Sequence, residues 1–117
     1  MQYLVTLTYR DGEGPEMGTP AFDEEMKVWH ALNDELRASG AVLAVSGLKP
    51  ESATTVRESG GELVVTDGPY AETKEILFSF YVVEVEDLDA AIALAARMPA
   101  TRYGSVQIHA THGFEKA

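Results

Sequence analysis

The stretch "EILFSFYVVEVE" (75–86) decides how this chain folds. Its strict alternation predicts a long strand, with Ile76, Phe78, Phe80 and Val82 on one face and Leu77, Ser79, Tyr81 and Val83 on the other. Both faces are apolar, so the strand belongs in the middle of a sheet covered on two sides.

The neighbouring segments supply the partners. "MQYLVTLTYR" alternates with period two and predicts a strand at about 2–9. "RDGEGPEMGTP" (10–20) is rich in Gly and Pro and reads as a loop, ending in Thr19 and Pro20 as N-cap and first helical residue. Between 20 and 39, Phe22, Met26, Trp29, Leu32 and Leu36 recur at helical spacing, and Gly40 supplies the stop. On that helix Asn33 falls inside the apolar stripe, and His30 flanks it, about 80° from Phe22 at 100° per residue.

"AVLAVSGL" (41–48) predicts a second strand, and Gly60-Gly61 between "ATTVRES" and "ELVVTD" predicts a hairpin at about 53–66. After the long strand, Asp87 caps a helix over 88–98 with a packing stripe of Leu88, Ile92, Ala95 and Met98, ended before Pro99. A last strand, 104–110, places Ser105, Gln107 and His109 on the face opposite Val106, Ile108 and Ala110.

The order βαβ, hairpin, βαβ is that of an α+β, ferredoxin-like split βαβ fold with an antiparallel sheet and an inserted hairpin. At 117 residues it predicts one domain, 1–117. Two helices cover only one face of the sheet. The other keeps several of Leu4, Leu77, Tyr81 and Val83, or their counterparts in a shifted register, and predicts a homodimer with facing sheets.

Composition narrows the functional classes. Nine Lys plus Arg against nineteen Asp plus Glu give a net charge of −10, which repels nucleic acid and anionic membrane surfaces. The uncharged runs "ASGAVLAVSGL" (38–48) and "ILFSFYVV" (76–83) fall short of the roughly 20 residues of a membrane span. Neither a secretory signal nor any cysteine is present, which predicts a soluble cytoplasmic protein without disulfides or thiolate chemistry. There is no phosphate-cradling Gly-rich loop, nucleophile elbow or HExxH, so no cofactor is expected.

The segment "VVTDGPYAETKEIL" (64–77) is the richest in chemistry. Asp67 either folds its carboxylate onto nearby backbone N–H groups or serves as a general base at a cleft rim, with Tyr70 and Lys74 beside it. Lys74 either pairs with Glu72 and Glu75 in solvent or holds an anionic ligand. His30 is a boundary histidine or an acid/base group, and Asn33 a satisfied core amide or a ligand contact. His109 faces a dimer cleft beside Gln107. His112 is three residues on, and no third ligand stands near to make a metal site.

"VVTDGPYAETKE", with "GLKPESATTVR" before it and "FYVVEVEDLDAAIALAARMPATRYGSVQIH" after, resembles the DGPF branch of the YCII-related family, over nearly the whole chain from Met1 to about Ala110. The resemblance implies a dimeric α/β barrel: a ferredoxin-like protomer whose sheet pairs with its partner's around a cleft. It also implies a regulatory or stress context, since members are often encoded beside extracytoplasmic-function sigma factors, with a protein partner tied to that regulation. In the wider group, a helix His and an Asp before an Asp-Pro-like helix end resemble an acid/base pair. Here that end reads Arg97-Met98-Pro99, so the Asp is missing and the pair is not carried over; Tyr70 stands where the motif has Phe.

Two functions fit these readings. One is a binding module holding a small molecule in the barrel cleft. The other is a cofactor-free isomerase or lyase acting on a small carbonyl compound, with Asp67 or His30 as base and Tyr70 or Lys74 steadying negative charge.

Overall fold

A computed structural model describes residues 1–68 and 75–113. The elements are β1 (Gln2–Arg10), α1 (Pro20–Ser39), β2 (Val42–Gly47), β3 (Thr54–Ser59), β4 (Glu62–Asp67), β5 (Glu75–Glu84), α2 (Leu88–Ala95) and β6 (Val106–Ala110), with single 3-10 turns at Pro50–Ser52 and Pro99–Arg102. Four strands form an antiparallel sheet in the order β2-β5-β1-β6, the ferredoxin-like arrangement, and β3 pairs with β4 in a separate hairpin.

β1 alternates as its sequence predicts: Tyr3, Val5 and Leu7 are buried in the core, while Leu4, Thr6 and Thr8 point the other way and are only half-buried. α1 begins where Thr19 Oγ1 accepts the Phe22 N–H and ends at Gly40, whose φ of +73° is open to glycine at little cost. Its stripe of Trp29, Leu32 and Leu36 packs on Tyr3, Val5, Leu7, Tyr81 and Val83.

Two sequence expectations are corrected by packing. A bulge in β5 opposite the Leu7–Thr8 step breaks the strict alternation, so Phe78 and Tyr81, three residues apart, both reach the helix side. Tyr81 and Val83 therefore belong to the helix-covered core, and the face turned from the helices keeps Leu4 and Leu77 but carries Phe80 and Val82 in place of those two. In α2, Leu88 and Ile92 are about half exposed, and the buried side is Ala91, Leu94 and Ala95, followed by Met98. The run "LDAAIALA" is apolar on nearly every side, so periodicity alone cannot choose a face; small Ala91 and Ala95 let the backbone come close to the sheet. α2 also stops at Ala95 rather than 98, although Asp87 caps it as predicted by accepting the Ala90 N–H at 2.9 Å.

The hairpin turns on Gly60 and Gly61, both at positive φ as a two-residue primed turn requires. One of its faces, with Val56, Leu63 and Val65, is exposed.

The backbone continues to pair with β1 before β6 formally starts. The Thr8 N–H donates to Ser105 O at 2.9 Å and the Arg10 N–H to Tyr103 O at 2.8 Å. This brings Gly104 so close to β1 that a Cβ there would lie 1.8 Å from the Thr8 carbonyl oxygen. Gly104→Ala must therefore push the two segments apart. Urea denaturation should show it less stable by on the order of 3 kcal/mol, whereas Gly47→Ala, at an open position, should change little.

Candidate functional site

The helix side of the sheet is not sealed along its whole length. Between α1 and the β2–β5 edge lies a cleft of about 660 Å³. Leu7, Met26, Trp29, Val45, Phe78 and Tyr81 give it apolar walls, and His30, Asn33, Asp34, Arg37, Ser46 and Ser79 supply its polar groups. The β5 bulge matters here because it turns Phe78 into this space beside Ser79 and Tyr81.

At the cleft floor the Tyr81 hydroxyl donates to Asn33 Oδ1 at 2.5 Å. Tyr81 is buried apart from that end, and burial raises the phenol pKa above its usual value, against the opposing pull of the Asn33 hydrogen bond and the Arg37 charge. The phenol thus stays a neutral donor at physiological pH. With its oxygen committed to Tyr81, the Asn33 carboxamide keeps an NH₂ that no described residue engages, on a side chain that lines the cleft.

Trp29 is fixed by a second network. Its indole N–H donates to Glu25 Oε2 at 3.2 Å, and the same oxygen accepts the Tyr103 hydroxyl at 2.8 Å. The indole plane therefore cannot rotate freely at the cleft wall. Burial, and then the Glu25 carboxylate, push the Tyr103 phenol pKa up. At the rim Arg37 reaches Asp34 only at 4.0 Å, with both side chains largely exposed, a weak ion pair that leaves the guanidinium available. The serine protons are used: Ser79 donates to Ser46 O and Ser46 to Gly47 O.

The sequence-predicted residues separate into three groups. His30 and Asn33 line this cleft together, and Asn33 is both the satisfied amide and the contact group. His109 is exposed on the opposite face of the sheet, across from Leu4, so in one chain it cannot share a site with them. Asp67 is exposed at the end of β4, opposite Thr54 in the hairpin, and does not line the cleft. Tyr70 and Lys74 lie outside the described residues, as do the groups that an Asp67 turn would engage. Among the described residues no three His, Asp or Glu side chains gather as a metal site, and no helix is long and apolar enough to cross a membrane.

Sequence reading missed Tyr81, Arg37 and the fixing of Trp29. A signal existed for the first: a tyrosine in the central strand and an asparagine on the packing stripe of α1 each need a hydrogen-bond partner, and each is the other's nearest solution.

The raised tyrosine pKa values set a pH dependence. A folded state that holds these protons more tightly gains stability that is complete below the free tyrosine pKa of about 10 and disappears as pH rises through the folded values. The stability difference between wild type and Tyr103→Phe should be flat below about pH 10 and shrink above it, with the Tyr103 contribution to tyrosinate absorbance appearing last. A difference that grows with alkaline pH would contradict this assignment.

Similarity to known proteins agrees with the fold. The YCII-related domain matches residues 1–112. An uncharacterised protein of Rhizobium meliloti (strain 1021) is 37% identical over 97 residues, covering 81% of this chain and 77% of that protein. With this length of match on an antiparallel ferredoxin-like sheet, the chain belongs to the YCII-related domain family.

Proposed function

We propose that the chain is a binding module that holds a small organic molecule in the α1–sheet cleft. The observation that carries this reading is the cleft itself: about 660 Å³, aromatic on its walls, with the uncommitted Asn33 NH₂ fixed by Tyr81 at its floor. Its size and its few convergent polar groups on apolar walls are those of a ligand site. The site lies within one chain, on the helix side, and so differs from a barrel cleft enclosed between two sheets.

The module works as a cytoplasmic homodimer of the DGPF branch. Support for the dimer comes from the sheet face turned from the helices, where Leu77 is exposed and Leu4 and Phe80 are half-buried beside an already buried Val82. The "TDGPYAETKE" run supports the branch, and through it a regulatory or stress role with a protein partner of the sigma-factor system.

A second reading, a cofactor-free isomerase or lyase acting on a carbonyl compound, draws on His30, which stands in the cleft near the Asn33 donor. His30 is exposed, and none of the described residues hydrogen-bonds it in the way that orients a catalytic base. Binding is therefore favoured over turnover.

A thermal-shift screen against small carboxylates, phenols and carbonyl metabolites tests the binding reading. A ligand at about a hundred times its Kd should raise the Tm by roughly 10 °C. His30→Ala should keep that shift, and in D₂O the bound ligand should exchange no carbon-bound protons. His30-dependent exchange would instead establish the enzyme. For the dimer, wild type should migrate as two chains at micromolar concentration and Phe80→Lys as one folded chain; a monomeric wild type would remove the facing-sheet arrangement.

A further inference from the structure

We propose that the cleft selects a flat, ring-bearing carboxylate, with the ring between Trp29, Phe78 and Tyr81 and the carboxylate at the Asn33–Arg37 end. The assignment rests on the binding reading above and adds the chemical class of the ligand.

The first argument is the inventory of hydrogen-bonding groups. Tyr81 gives its proton to Asn33, Ser79 to Ser46 O and Ser46 to Gly47 O, so these hydroxyls offer a ligand no free proton. The donors left for a ligand at this end are the Asn33 NH₂ and the Arg37 guanidinium, beside the Asp34 carboxylate and the His30 ring. A ligand group that engages those two donors must accept hydrogen bonds. A guanidinium with a planar fork further favours a carboxylate over a lone carbonyl, because two parallel bonds can form.

The second argument is the sign of the charge. The rim carries both Asp34 and Arg37, and an aromatic cleft beside a carboxylate would also suit a cation. The two charges are not equivalent at the floor. The Tyr81 hydroxyl feels Arg37, which favours its ionised form. Arg37 stands four residues after Asn33 and so on the same face of α1, whereas Asp34 is turned about 100° away, which puts a cation beside the Asn33 amide despite a net charge of −10 for the whole chain. A cationic ligand seated there would meet Arg37.

The third argument is shape. Trp29 is held at its N–H by Glu25 and cannot swing to fill the cleft, and Phe78 is turned inward by the bulge. Fixed aromatic walls on the two sides of a cleft accept a planar ring with little further loss of side-chain freedom.

Trp29 is the only tryptophan, so its single indole N–H cross-peak in a ¹H–¹⁵N NMR spectrum reports directly on the cleft. Benzoate, cinnamate and 2-naphthoate would each be titrated beside the corresponding amide, with acetate and benzyltrimethylammonium as ring-free and cationic probes. At least one ring carboxylate should move the indole peak saturably and bind roughly tenfold or more tighter than its amide, while acetate and the cation should not compete. Arg37→Gln, at an exposed helix position, should remove most of that preference by weakening the acid far more than its amide.

Amides that bind as tightly as their acids, or an Arg37→Gln protein that keeps the preference, would overturn the ligand class and leave the cleft as a binding site. Tighter binding of benzyltrimethylammonium would overturn it in favour of a cation. If no ring probe, charged or neutral, moves the indole peak, the binding reading itself falls, and the ligand class with it.

Discussion

Two polar side chains stand where the fold calls for apolar ones, and each can be there only because of the other. Tyr81 occupies the central strand of the sheet and Asn33 interrupts the stripe by which α1 packs on that strand. A buried phenol or amide without a partner costs on the order of 1–3 kcal/mol. Their 2.5 Å hydrogen bond removes that cost and fixes the helix to the sheet at one point. It also prevents the interface from closing like the neighbouring Trp29–Leu32–Leu36 contact, because polar ends cannot interdigitate as leucines do. The cleft begins at this contact.

The rest of the helix face is organised so that this opening stays in place. On one side, Glu25 gathers the Trp29 indole and the Tyr103 hydroxyl, which joins α1 to the turn after α2. On another, Arg97 pairs with Glu35 across the outer surface and joins the C-terminal part of α1 to the end of α2. That pair is exposed and adds little energy by itself, yet it gives α1 a second tie to the chain that follows α2. Behind them, the close approach at Gly104 holds the segment 103–105 against β1, so Tyr103 reaches Glu25 from a backbone that is itself anchored.

Most of this architecture is legible in the sequence. The strand alternation, the Thr19-Pro20 start and Gly40 stop of α1, the Asp87 cap and the Gly60-Gly61 turn are local signals, and each appears where its chemistry places it. The features that escape are those settled between elements. Nothing local to "EILFSFYVVEVE" announces that one residue will bulge, because the bulge is a matter of register against β1. Likewise "LDAAIALA" has too little polar contrast to reveal which side meets the sheet. The candidate site was legible to the same degree: His30 and Asn33 are visible on a helical wheel, but Tyr81, Arg37 and Trp29 join them only through packing.

The sheet therefore separates two tasks by face. On the helix side, polar groups are matched in pairs and leave a small set of donors aimed into a defined space. On the other, Leu4, Phe80 and Val82 share the face with Thr6 and with Thr8, whose hydroxyl is engaged by Ser105, and His109 and Gln107 are exposed on a neighbouring strand. Apolar side chains of that kind gain from being covered by any complementary surface, whereas the Asn33 NH₂ gains from a group that accepts hydrogen bonds. A change that charges the open face and a change that removes a cleft donor should therefore act on different properties of the protein. The two sets lie on opposite sides of β1 and β5 and share no side chain, so selection can alter assembly and ligand choice separately.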